Sequence, residues 1–126
     1  MPRLQAVLAI AIDNLDSVVA SLGPTIGQRL IDTAANRIAE ALPEIGFPER
    51  LGSNELVVSL TEDIAPRDPI EVAGLLADLL ERSYVIAGNL IDVTARIGIA
   101  LMPPEGADRE QMIRRAALAL SERHGG

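Results

Sequence analysis

Residues 4–13 read LQAVLAIAID, an almost unbroken apolar run closed by an aspartate. A run this short with a polar stop predicts a central strand covered on both faces. The period then changes. Ile26, Leu30, Ala34, Ile38 and Leu42 recur at steps of four, and Ile31 and Ala35 widen the stripe. That spacing predicts an amphipathic helix, with Pro24 in its first turn and Pro43 at its stop. Two short strand-like runs follow around Gly52-Ser53-Asn54, whose small polar residues suit a tight hairpin. Pro66 ends the second run's tail.

Asp68, Pro69 and Glu71 announce the next helix, an N-cap carboxylate followed by proline and a carboxylate at the third position. Its expected buried stripe is Val72, Leu75, Leu76, Leu79 and Leu80. A turn at Gly88-Asn89 predicts a second hairpin. In its second arm Ile91, Val93, Ala95, Ile97 and Ile99 face one way, while Asp92, Thr94 and Arg96 face the other, part of which is expected to be wet. Asp108 with Gln111 caps a last helix marked by Met112, Ile113, Ala116, Ala117 and Leu120. The order is strand, helix, hairpin, helix, hairpin, helix. It predicts an α/β (α+β) sandwich, a central, mainly antiparallel sheet of about five strands with helices packed on it.

Composition narrows the chemistry. The 126 residues suffice for one domain with one core, and 48% of them are hydrophobic. Tyr84 and Phe47 are the only aromatic residues, so the core must be aliphatic. Without cysteine there is no disulfide or thiolate chemistry, and a metal site would have to use carboxylates. His124 is the only histidine and stands too near the C-terminus to suggest a cluster. All 11 basic residues are arginine, and the net charge of −7 opposes binding to nucleic acid or anionic lipid. Arg114 and Arg115 are adjacent, but helical spacing turns them apart and a solvated helix face is their expected role. The first apolar run is too short to span a bilayer and lacks a signal-peptide cleavage site, so a cytoplasmic protein is expected.

Four segments resemble the GGDEF family, the diguanylate cyclase domain. LAIAIDNLDSVVASLGPTIGQRL is similar to the family's first strand and its DLDxFKxxNDxxGHxxGD region. RLGSNELVVSL is similar to RxGGDEFxxLL, DVTARIGIALMPPEGAD to VTxSIGxAxxPxxG, and MIRRAALALSERHGG to LLxxADxALYxAKxxG. Together they cover nearly the whole chain, in register. The resemblance implies a nucleotidyl-cyclase-like sheet and a single domain over 1–126, of a kind that can be excerpted from a longer signalling protein.

The family condenses two GTP molecules into cyclic di-GMP, and divalent ions offset the charge on the phosphates. Magnesium asks for hard oxygen ligands, so carboxylates must converge from two segments. Carried over in register, the first metal position is Ala11 and the second is Asn54, the third position of the GGDEF motif. Both carboxylates are therefore replaced. Gly52 and Glu55 keep the first and fourth positions, while Ser53 and Leu56 replace the second glycine and the phenylalanine. Asp13 survives as the second acid of the first-strand pattern, with a solvated strand end as its expected role; Glu55 is expected at the hairpin surface or a subunit contact. Asn54 also suits a turn, because asparagine tolerates left-handed backbone.

The base pocket is altered as well. The guanine-reading asparagine falls on Val19, the guanine-reading aspartate on Gln28 and the neighbouring histidine on Pro24. Losing a polar partner of a buried base edge costs roughly 1–3 kcal/mol per contact. The phosphate-contacting lysine falls on His124, beside which Arg123 is a candidate replacement. The product-inhibition positions fall on Pro43 and Gly46. Arg50 matches the family in type. Val18-Val19, apolar where the family is polar, either closes the cleft or, if exposed, forms a docking patch.

These substitutions predict a degenerate GGDEF domain with no metal or cofactor, tuning a protein partner or an adjacent EAL phosphodiesterase or sensor domain. A homodimer is also open. One alternative is a residual GTP-binding allosteric sensor that uses the 52–55 turn, Gln28 and Arg123. A further alternative is an active cyclase with a Mg²⁺ site rearranged around Asp13 and Glu55.

Overall fold

The structure is a computed structural model that describes residues 3–45, 47–62 and 68–124, with the side chains of 122–124 left aside. The first apolar run forms strand β1 (Leu4–Ile12). Helix α1 (Leu15–Leu22) and helix α2 (Pro24–Ala41) follow, then a 3-10 turn at Pro43–Ile45. Strands β2 (Glu49–Leu51) and β3 (Glu55–Thr61) make the first hairpin, and helix α3 (Pro69–Leu80) comes next. Strands β4 (Tyr84–Ile86) and β5 (Asn89–Ile91) make the second hairpin, followed by strand β6 (Ala95–Leu101) and helix α4 (Arg109–His124).

The sheet is antiparallel with strand order β2-β3-β1-β6, and β4-β5 is a separate two-stranded ribbon beside it. As the apolar run predicts, β1 is central, and Ala6 to Ile12 are buried on both faces. Leu8, Ile10 and Ile12 pack with Leu30, Ile31 and Ile38 of α2 and Val72, Leu76 and Leu80 of α3. Val7, Ala9 and Ala11 pack on the other face with Met112, Ala116 and Leu120 of α4. A fully buried leucine or isoleucine contributes about 2–3 kcal/mol, so this double coverage holds the strand in place.

Four details depart from the sequence expectation. Helix α1 was not foreseen: its eight residues are too few for a clear period, and it is separated from α2 only by Gly23, whose φ of 94° favours glycine. Leu75 is 48% exposed, and Ala73 takes its place in the stripe, so the buried face of α3 is rotated from the one read by leucine count. The second hairpin turns at Ala87-Gly88, both at positive φ (51° and 82°), as a two-residue turn with matching twist requires. Asn89 instead opens β5 and donates from its side chain to Ile86 O. The second arm is also broken after Ile91, so β5 stays with the ribbon while β6 joins the main sheet.

The helix caps act as predicted. Asp68 accepts from the Ile70 N–H at 2.9 Å. Asp108 and Gln111 form a reciprocal box: Gln111 N–H donates to Asp108 Oδ1 and Asp108 N–H donates to Gln111 Oε1. Pro66 lies outside the described residues.

Candidate functional site

Backbone register decides which side chains meet. Ala11 lies opposite Glu55 of β3 on one side and Arg96 of β6 on the other. Residues directly opposite in an antiparallel pair project to the same face. Ala11, Asp13, Glu55 and Arg96 therefore share the α4 face at one end of the sheet. The Ile12 N–H donates to Asn54 O at 3.0 Å, which draws the 52–54 turn against the same end. The four positions singled out in the first strand and the first hairpin thus do converge.

What they converge on is a guanidinium. Arg96 Nε donates to Asp13 Oδ1 at 2.7 Å, and one terminal nitrogen donates to Leu120 O of α4 at 2.8 Å. The two side chains are 33% and 30% exposed, so the pair is partly withdrawn from water. Asp13 is neither a free strand end nor a free ligand. Glu55 is half-buried and lines a small cavity of about 230 Å³ with Arg96, Ala117, Leu120 and Ser121. Among the described residues, no three acids or histidines come together as a metal-binding group.

The carboxylates available to a hard divalent ion here are one already paired with arginine and a second across the Ala11 methyl from that arginine. That set fits such an ion poorly, because magnesium demands several well-placed oxygen ligands and a fixed cation beside it adds repulsion.

The hairpin keeps its frame by backbone means. Gly52 has φ 69°, so the left-handed position belongs to the glycine, and Asn54 does not use that region. Ser53 is exposed at the tip. Leu56 is fully buried in the larger core cluster, where it replaces an aromatic ring by packing alone.

Gln28 and Arg50 meet on the α2 side. Gln28 donates to Asp32 Oδ1 at 3.2 Å, and Arg50 reaches the same oxygen at 3.3 Å. Val18 is buried and Val19 packs against the core, so the pair is not a docking patch. A Cβ at Gly27 would come within 2.5 Å of Val19 Cγ2, so the valine fills the notch that the glycine leaves between α1 and α2. Pro24 opens α2, and Pro43 opens the 3-10 turn. Gly46 lies outside the described residues, as do the side chains of Arg123 and His124. Arg114 and Arg115 are exposed on the outer face of α4, as expected.

Two arrangements were not legible in the residues read one at a time. Arg96 replaces the serine of the third motif, and that substitution was the available signal. Arg37 of α2 was the other. Its guanidinium lies 3.6 Å from the Tyr84 ring centroid and donates to Arg82 O (2.8 Å) and Ser83 O (2.7 Å), closing the C-terminal end of α3. Asn14 completes the frame by donating to Asp92 O at 2.7 Å and accepting from the Thr94 N–H, tying the start of α1 to the approach of β6.

Known proteins carry the same architecture. A solved EAL/GGDEF domain protein from M.capsulatus superposes with a TM-score of 0.84 at 28% identity, over 95% of this chain and 77% of that one. A sensory box/GGDEF family protein from Caulobacter crescentus gives 0.85 at 26% identity, over 98% and 80%. In sequence, the chain is 30% identical over 118 residues to MucR of Pseudomonas aeruginosa, a bifunctional diguanylate cyclase/cyclic di-GMP phosphodiesterase. That match covers 94% of this chain and 17% of MucR, so the chain corresponds to a small part of that protein. The family described as "Diguanylate cyclase, GGDEF domain" matches residues 2–124. With the strand register, the hairpin and nearly the full length in agreement, this chain belongs to the GGDEF family.

Proposed function

We propose that this domain is a catalytically inactive GGDEF module that regulates or docks a neighbouring domain in cyclic di-GMP signalling. The supporting observation is the Arg96–Asp13 pair beside the Ala11 methyl, at the place where the family would assemble its metal-bound triphosphate. Phosphoryl transfer relies on positioning and on offsetting phosphate charge, and both are undone here. The carboxylates at positions 11 and 54 are replaced, and the remaining first-strand acid is neutralised by arginine. Val19 in the Gly27 notch supports the same reading at the base pocket.

The neighbour that suits this role best is an EAL phosphodiesterase or a sensor domain. MucR and NbdA of Pseudomonas aeruginosa bear cyclic di-GMP phosphodiesterase in their names, and the M.capsulatus relative combines EAL with GGDEF. Incubation with GTP and Mg²⁺ or Mn²⁺ is expected to yield no cyclic di-GMP; robust turnover would overturn the proposal.

A further inference from the structure

We infer that Arg96 is a tethered cation that takes the place of a divalent ion at the Ala11 end of the sheet and keeps such an ion out. The inference rests on the reading of Ala11 as the family's metal position, and metal binding, measured apart from turnover, tests it. Arg96 is opposite Ala11 in register, and its neighbours on that face are Asp13 and Glu55. A guanidinium is always charged and presents its donors in a rigid fork. Here one arm takes the Asp13 carboxylate and another takes the Leu120 carbonyl. The fork thus bridges the end of β1 to the last turns of α4, a link that a small ion at the strand end would not make.

Its position also sets the order in which losses matter. Restoring an acid at Asn54 would place a new carboxylate beside a cation already in residence. Arg96 is a cation fixed at that end of the sheet, and an added metal must compete with a partner that cannot diffuse away. The arginine, more than the missing acid, is then the barrier to metal binding.

The test compares two variants and reads metal binding without reference to turnover. Asn54→Asp changes only a half-exposed turn residue. Asn54→Asp with Arg96→Ser removes the cation as well. Mn²⁺ is titrated into each protein, free Mn²⁺ is followed by electron paramagnetic resonance, and melting is recorded with Mn²⁺ and with EDTA. The single variant is expected to bind Mn²⁺ no better than the unaltered chain. The double variant is expected to bind on the order of tenfold tighter or more, with melting raised by Mn²⁺. Asn54→Asp with Arg96→Lys keeps the charge, guards against a folding defect in the serine variant, and is expected to remain as weak as the single variant. Equal Mn²⁺ affinity with and without the arginine, or tight binding in the lysine variant, overturns the inference.

Discussion

Toward α1, α2 and α3, strand β1 presents Ala6, Leu8, Ile10 and Ile12; toward α4 it presents Val7, Ala9 and Ala11. The first face is filled by bulk, with long aliphatic chains from three helices. The second is filled by closeness, with alanines and a glycine that let one helix lie against the sheet. At Gly98, an added Cβ would press into the Ala116 carbonyl oxygen and stand 2.9 Å from Leu120 N, both of them backbone atoms. This difference explains the site. Only where the α4 backbone lies this near can a side chain from β6 hydrogen-bond its carbonyl directly, as Arg96 does with Leu120.

The two faces should fail in opposite ways. Shrinking a side chain on the bulky face should be the most damaging change: Ile10→Ala is expected to cost about 4 kcal/mol by urea unfolding. A cost below about 1 kcal/mol would mean that this core collapses around the gap and that the contrast is false. On the close face, enlargement should hurt. Gly98→Ala is expected to cost about 3 kcal/mol, although the same change in an open strand is favourable. A neutral result would show that α4 lifts off at little cost.

A smaller effect tests the bulky face through pH. Tyr84 is buried, and its hydroxyl donates to Leu80 O at 2.7 Å. Burial raises its pKa, outweighing the opposing pull of Arg37. The folded state therefore holds this proton more firmly than the unfolded chain does. The associated stability is complete below the ordinary tyrosine value of about 10 and declines as pH rises from there through the folded value. Unfolding free energies measured from pH 8 to 11 should show that decline. Tyr84→Phe should lose about 1 kcal/mol at pH 8 and lack the tyrosine part of the slope.

Much of this was legible in the chain, for identifiable reasons. β1 and α2 carry long, unambiguous patterns, and the Asp108/Gln111 pair is a local code read locally. The four family segments gave the register, and with it the meeting of Ala11 and Asn54. What escaped reading depends on contacts between distant segments. α1 is too short to show a period. Arg96 reads as one more polar residue on an alternating strand until register sets it against Ala11 and Asp13. Arg37 reads as an ordinary helix-surface arginine until α3 ends beside it. Val19 becomes a filler only when Gly27, eight residues on, leaves it a notch.

The clasp around Tyr84 has an optical consequence. The chain has no tryptophan and a single tyrosine, so its near-ultraviolet emission arises almost wholly from that one ring. The ring is enclosed by α3, the ribbon and the Arg37 guanidinium, on the far side of the sheet from Arg96. Emission will therefore follow the loosening of the bulky face and be nearly blind to events under α4. For fluorescence to report a ligand or metal that acts at the Ala11 end, a label must be placed there.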